Sequence, residues 1–323
     1  MKNILMLIMV FSATPAAGPK PYLGEFFDNL DKIAQTLTEQ QAFDSVMAIA
    51  SKLDSNDIPY VLQRGNAEPA LAPLCLMFLT GAVQNGAGKY GEKVVEYALR
   101  EYARDTSLYE ASRAIMVSIG EPTAGVVAHS FLTDRNLSRV IRRGIAEMWI
   151  SVGGTAPIIF VLTERGLESD REYLLRSASA FDLLTAANEW QEENPILDLA
   201  VKEAKARLKQ KEPLPFRPRE DSLLDKDHCA VKIINEAPVS LVLTLLNESL
   251  DQRFEFHFPS RATRSYTMPL GRYFFKASSP TPFILPTEGF EDFKRNFIYE
   301  WVFFLEDQLE EMKEKYPDLE GLD

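Results

Sequence analysis

Cysteine and histidine are scarce in this sequence, and each scarcity removes a class of chemistry. The 323 residues contain two cysteines, Cys75 and Cys229, which lie 154 positions apart. Two thiols do not make a disulfide framework. Cys75 falls inside the apolar run "PALAPLCLMFLTGAV", where a thiol serves as a small core residue. The three histidines, His129, His228 and His257, are scattered. Only His228 has a second histidine or cysteine nearby, Cys229, and adjacent strand residues point to opposite faces. No metal site and no cofactor is read from the chain.

Catalytic signatures are missing as well. The chain has no G-x-S-x-G, no H-E-x-x-H and no phosphate loop. "NGAGKYG" carries glycines and Lys89, but no strand precedes it and no Ser or Thr follows the lysine. Carboxylate pairs such as Glu192-Glu193 and Glu310-Glu311 diverge on a helix and give no glycosidase signature. No catalytic residue is assigned.

Positive charge is the other shortage. Lys and Arg total 35 against 47 Asp and Glu, a formal net charge of −12. An acidic chain is repelled by a phosphate backbone, so nucleic acid is excluded as a partner. From Glu306 to Asp323 eight acids face two lysines, which reads as a solvated acidic helix and tail over residues 307–323.

No apolar run approaches the roughly 20 residues that cross a bilayer, so no stable membrane span is expected. The N-terminus has a different design. Lys2, the uncharged run Ile4–Phe11 and the small residues Ser12, Ala13, Ala16 and Ala17 have the layout of a secretory signal peptide. Residues 1–17 are therefore read as a signal, and the protein as secreted or periplasmic.

What is present is, first, helical periodicity from 22 to 211. Phe26, Phe27, Leu30, Ile33 and Leu37 form one stripe; Phe43, Val46, Met47, Ile49 and Leu53 form another. Further helices are expected near 69–84, 89–104, 107–119, 123–133, 138–152, 155–165, 170–188 and 195–210. One phrase is written twice. "SIGEPTAG" and "SVGGTAPI" each run from a branched residue through glycine to proline, with Gly120 and Gly153 thirty-three positions apart. Glycine relieves left-handed strain past a helix end, and proline is tolerated in the next helix's first turn. Gly120 with Pro122, and Gly153 with Pro157, thus mark a helical hairpin of about 33 residues whose faces need stacked neighbours.

"IRRGIAEMWISVGGTAPIIFVLTE", preceded by "SIGEPTAGVVAHSFLTD", resembles the HEAT-like repeats of the bilin-lyase type. The resemblance implies a helical solenoid in which an inter-repeat Asp pairs with an Arg; the matching residues are Asp134 and Arg142. It imports no lyase chemistry. Arg139, Arg142 and Arg143 share a helix face. Arg142 is read as a tie between repeats, and Arg139 and Arg143 as an anionic-ligand docking patch.

The texture changes at Pro213, Pro215 and Pro218. Residues 212–226 read as a proline-rich linker. From 227 to 306 the period is two: "CAVKIIN", "VSLVLTLL", "RFEFHF", "TRSYTM", "GRYFFKAS" and "FIYEWVFFL" read as strands of a small antiparallel β-sandwich. The final strand is expected inside its sheet, with helices covering one side. The fold class is thus α+β multidomain: an all-α HEAT-like solenoid, then a β-sandwich, then a short helix.

The functional expectation is an exported, non-catalytic binding or scaffolding protein that docks a protein or peptide on its helical surface. The alternatives are an exported enzyme acting on cell-envelope glycans, or carbohydrate binding by the β domain.

Overall fold

A computed structural model describes residues 21–30, 38–86, 88–190, 192–211, 218–220, 227–279, 281, 284, 286–305 and 308. The expected signal peptide, most of the linker and the acidic tail lie outside the described residues. The fold is mixed α+β, a helical region followed by a β region. It divides into two compact units, with the boundary between Val152 and Gly153. That boundary falls inside the second copy of the repeated phrase.

The first unit is helical among its described residues: α1 (Pro21–Asp28), α2 (Glu39–Ala50), α3 (Ile58–Ala67), α4 (Ala72–Gln84), α5 (Gly91–Arg104), α6 (Tyr109–Ile119), α7 (Thr123–Thr133) and α8 (Arg139–Val152). Local chemistry sets the ends. Thr38 and Gln41 form a reciprocal capping box that starts α2. Gly120 ends α6 at φ +71°, the left-handed region that glycine tolerates. The core begins with Phe26 and Phe27 of α1, which meet Phe78 of α4 edge-on. In the second predicted stripe, Leu53 is fully buried, while Phe43 and Met47 are 52% and 47% exposed. Helices pack in sequence-adjacent pairs, α3 on α4, α5 on α6 and α7 on α8. Alternate helices also meet: α4, α6 and α8 in succession, and α5 with α7.

The second unit opens with α9 (Ala156–Thr163), α10 (Arg171–Ser177), α11 (Ala180–Glu189) and α12 (Pro195–Gln210). The single helix expected over 170–188 is broken. Ser179 takes extended-type backbone and its hydroxyl accepts the Asp182 N–H at 3.2 Å, so it ends one helix and caps the next.

Eight strands follow: β1 (Arg219–Glu220), β2 (His228–Asn235), β3 (Leu241–Asn247), β4 (Arg253–Phe258), β5 (Thr263–Pro269), β6 (Gly271–Ser278), β7 (Thr287–Phe293) and β8 (Phe297–Phe303). They form two four-stranded sheets, ordered β1-β8-β2-β5 and β4-β3-β6-β7. Both sheets contribute to one core that includes Val231, Ile233, Leu243, Leu245, Tyr273, Phe275 and Trp301. One expectation changes. The sandwich is not purely antiparallel, because β2 and β8 run parallel, pairing Ile233 with Trp301. The "PSRATR" and "MPLG" links each carry the chain from one sheet to the other. β8 lies inside its sheet as expected. The helices α11 and α12 pack instead on β6 and β7 of the opposite sheet.

Candidate functional site

In the first unit the C-terminal part of α5, the start of α6 and α8 as far as Glu147 border an open cleft of about 270 Å³. Its lining is Tyr102 from the end of α5, Thr106 from the short turn that follows it, Tyr109 from α6, and Val140, Arg143, Gly144 and Glu147 from α8. Tyr102 is buried and forms the floor, and its ring meets Tyr109 edge-on at 6.0 Å. The close approach depends on Gly144, where any Cβ would overlap the Tyr102 hydroxyl. Val140 leaves 62% of its surface exposed at the wall. Arg143 and Glu147 stand one helical turn apart on the same face of α8.

Charge and burial both act on the floor. Burial pushes the Tyr102 phenol up, the Glu147 carboxylate adds to that, and the Arg143 guanidinium opposes it. The hydroxyl therefore stays protonated at neutral pH and is a hydrogen-bond donor beside two opposite charges.

The residues singled out from sequence have varied settings. Arg143 lines the cleft. Arg139 is exposed on the first turn of α8. Arg142 is partly buried, and its Nε has no hydrogen-bond partner. Asp134 is exposed at the end of α7 and accepts the Asn136 N–H at 2.9 Å. Gly120 and Pro122 flank the α6–α7 turn, Gly153 has φ +95°, and Pro157 lies in the first turn of α9.

Other reactive and charged groups lie away from this cleft. Cys75 and Cys229 are free and buried, and desolvation pushes each thiol up to about 12, so neither is a ready nucleophile. His257 lies 3.0 Å from Glu255 on an exposed strand face. In the second unit Lys209 meets Glu248 at 2.5 Å, and Arg272 binds both oxygens of Asp292 at 2.7 and 3.0 Å. Lys209 thereby fastens α12 to the turn after β3, and Arg272 ties β6 to β7. Among the described residues, no group of three or more His, Cys, Asp or Glu is placed to hold a metal ion.

Sequence reasoning reached Arg143 but not its surroundings. Tyr102 and Val140 are too far apart in sequence for any local pattern to join them. One signal was present: Gly144 sits mid-helix in "RRGIAE", and an interior helical glycine often marks a close approach.

No family model matches the chain, and no curated protein matches it. Among solved structures, the chain is similar to an alkylpurine DNA glycosylase from Pseudomonas fluorescens, bound to DNA containing an abasic site analogue. The match has 10% identity and a TM-score of 0.25, and covers 79% of this chain and 82% of that one. A likeness of that size assigns neither a fold nor a ligand to this chain. Three expectations are nevertheless withdrawn. The bilin-lyase-type resemblance has no family model behind it, and the residues that carried it are general helix-end chemistry. The exclusion of nucleic acid rested on a whole-chain sum of charge. Locally the sum misleads, because from Arg100 to Glu147 seven arginines stand against six acids. The reading as a non-catalytic scaffold for protein or peptide is withdrawn as well, since no family model and no curated relative stands behind it.

Proposed function

We propose that the protein binds a small organic anion bearing a ring or a compact apolar group, in the cleft between α5, α6 and α8. The observation that carries this reading is the composition of that cleft. An exposed arginine stands at its rim, while Tyr109 and Val140 offer ring and methyl surface beside a buried phenol. An arginine recognises carboxylate or phosphate through paired N–H donors, and an adjacent aromatic wall holds the attached apolar body. The volume of about 270 Å³ lies below the roughly 300–1,000 Å³ of drug-sized sites, so the ligand is a single-ring compound with a short polar head.

The pattern of helix packing supports a stacked arrangement of α3 to α8. Sequence-adjacent pairs, with alternate helices in contact, are the layout of a helical solenoid. In that layout the cleft opens where one pair meets the next.

The test is a titration with hydrocinnamate, a phenyl ring on a short carboxylate chain, followed by backbone amide NMR. The Gly144 amide is expected to shift in a saturable way. Arg143→Ala should abolish the shift with the helical circular dichroism unchanged. No response at Gly144 up to ~10 mM, where binding of about −3 kcal/mol would register, overturns the reading.

A further inference from the structure

We propose that the acidic segment Glu306–Asp323 is held across the start of β5 by Arg261 and Arg264, and that it closes the open edge of that strand. The proposal is independent of the cleft in the first unit. β5 lies at the end of the sheet order β1-β8-β2-β5 and pairs with β2 on one side. Asn235 donates its backbone N–H to the Ala262 carbonyl at 2.9 Å. Hydrogen-bonded pairs alternate along an antiparallel ladder, so the next residue, Thr263, turns its N–H and C=O away from β2. Ser265 and Thr267 do the same. All three residues are exposed. Such a row of outward donors and acceptors is a template for another strand, and proteins cover or charge edges of this kind.

Charge names the occupant. Arg261 lies in the turn before β5 and Arg264 is its second residue; both are exposed, and among the described residues neither guanidinium has a partner. The segment from Glu306 to Asp323 carries eight acids against two lysines. It also starts in the right place. β8 runs parallel to β2 and ends with Phe303 beside Asn235. The Glu236 N–H donates to the Phe303 carbonyl at 2.8 Å, and the Arg261 N–H donates to the Ala237 carbonyl at 3.3 Å. The end of β8 and the start of β5 therefore share one corner of the sheet. Two strand spacings of about 4.8 Å separate β8 from β5, roughly 10 Å in all. Glu306 follows Phe303 by three residues, a reach of about 10 Å in extended chain. A run of acids tethered this close to two arginines meets them at high effective concentration, ahead of a free anion.

The experiment uses the full chain with a nitroxide spin label on Met312→Cys; Cys75 and Cys229 are buried and stay unlabelled. The Ser265 and Thr267 amide NMR signals should be lost, and should return when the nitroxide is reduced. Arg261→Glu with Arg264→Glu should leave them sharp. Adding Glu306→Arg, Asp307→Arg and Glu310→Arg to that variant should broaden them again, because the attraction returns with its signs exchanged. At about 1 M salt, where the Debye length is about 3 Å, the parent should also lose the broadening. Sharp signals in the labelled parent would overturn the proposal, as would broadening that survives both the charge reversal and the salt. Broadening that disappears on mixing with excess unlabelled protein would overturn it too, because the segment at the edge would then belong to a second copy.

Discussion

The Lys276 ammonium of β6 lies 2.7 Å from one oxygen of Asp182 and 2.8 Å from the other, with both side chains largely withdrawn from water. Asp182 also accepts the Gly154 N–H at 3.0 Å, so one carboxylate joins the start of α11, β6 and the loop before α9. Removing one member strands the other in a poor solvent. Asp182→Ala should destabilise the protein by ~3–5 kcal/mol. Replacing both members by apolar groups of similar size, Asp182→Leu with Lys276→Met, should cost far less. Denaturant titration of the two variants checks this. A single mutant no worse than the double would show that Lys276 finds water or another partner.

Gly144 carries a second expectation. A methyl group there meets the Tyr102 hydroxyl with no room between them. Gly144→Ala should destabilise by ~1–3 kcal/mol, the range for overpacking a close contact, although alanine is the better helix former. A rise in stability would mean that Tyr102 swings away freely, and the floor of the cleft would then be adaptable.

Parts of this fold were legible from sequence and parts were not, for reasons that individual residues show. Strands β2 to β6 and β8 were read nearly to the residue, because their period-two pattern reflects a two-faced sheet. β7 was missed, because "TEGFEDF" is acidic and carries Gly289, which here leaves room for the Phe275 ring. The parallel pairing of β2 with β8 joins segments about 70 residues apart, a relation that no local pattern encodes. Helix α3 was missed because Pro59 and Gly65 interrupt its pattern. Gly65 proves to be packed against Tyr97, where a Cβ would collide. The exposure of Phe43 and Met47 shows that an apolar stripe gives a helix a face without saying what covers it. The cleft was legible only at Arg143, since its other walls come from two further helices.

Glu291 gives the clearest pH expectation. By strand alternation it faces inward between Gly289 and Phe293, and burial raises its carboxyl above the usual range. The Asp292 N–H hydrogen bond and Lys294 oppose that rise, and the charge of Asp292 adds to it. A folded-state pKa raised above the unfolded value means that stability is present at low pH and lost as pH rises through the folded pKa. Glu291→Gln should therefore be more stable than the parent at pH 7. The advantage should vanish as pH falls toward the ordinary carboxylate range. Melting temperatures of both proteins across pH 4–8 measure it, and a difference that does not change with pH would show that Glu291 is solvated.

Trp301 tests the sheet core directly. It is 1% exposed, with ring centroids 5.2 Å from Phe275 and 5.7 Å from Phe293, both residues of the opposite sheet. It is therefore the largest single link between the two sheets' inner faces. Its own strand is held by Ile233 in parallel register on one side. Deleting the indole leaves a cavity that the surrounding rings fill only by tilting, and the backbone pairing keeps the strands from collapsing onto it. Trp301→Ala should lower unfolding stability by ~3–5 kcal/mol, and Trp301→Phe by clearly less, since a ring remains between Phe275 and Phe293. Guanidinium titrations of the three proteins decide. A loss below about 1 kcal/mol for the alanine variant would mean that the two sheets are held together mainly by other contacts, and the shared core would have to be assigned to Phe258, Tyr273 and the leucines of β3 instead.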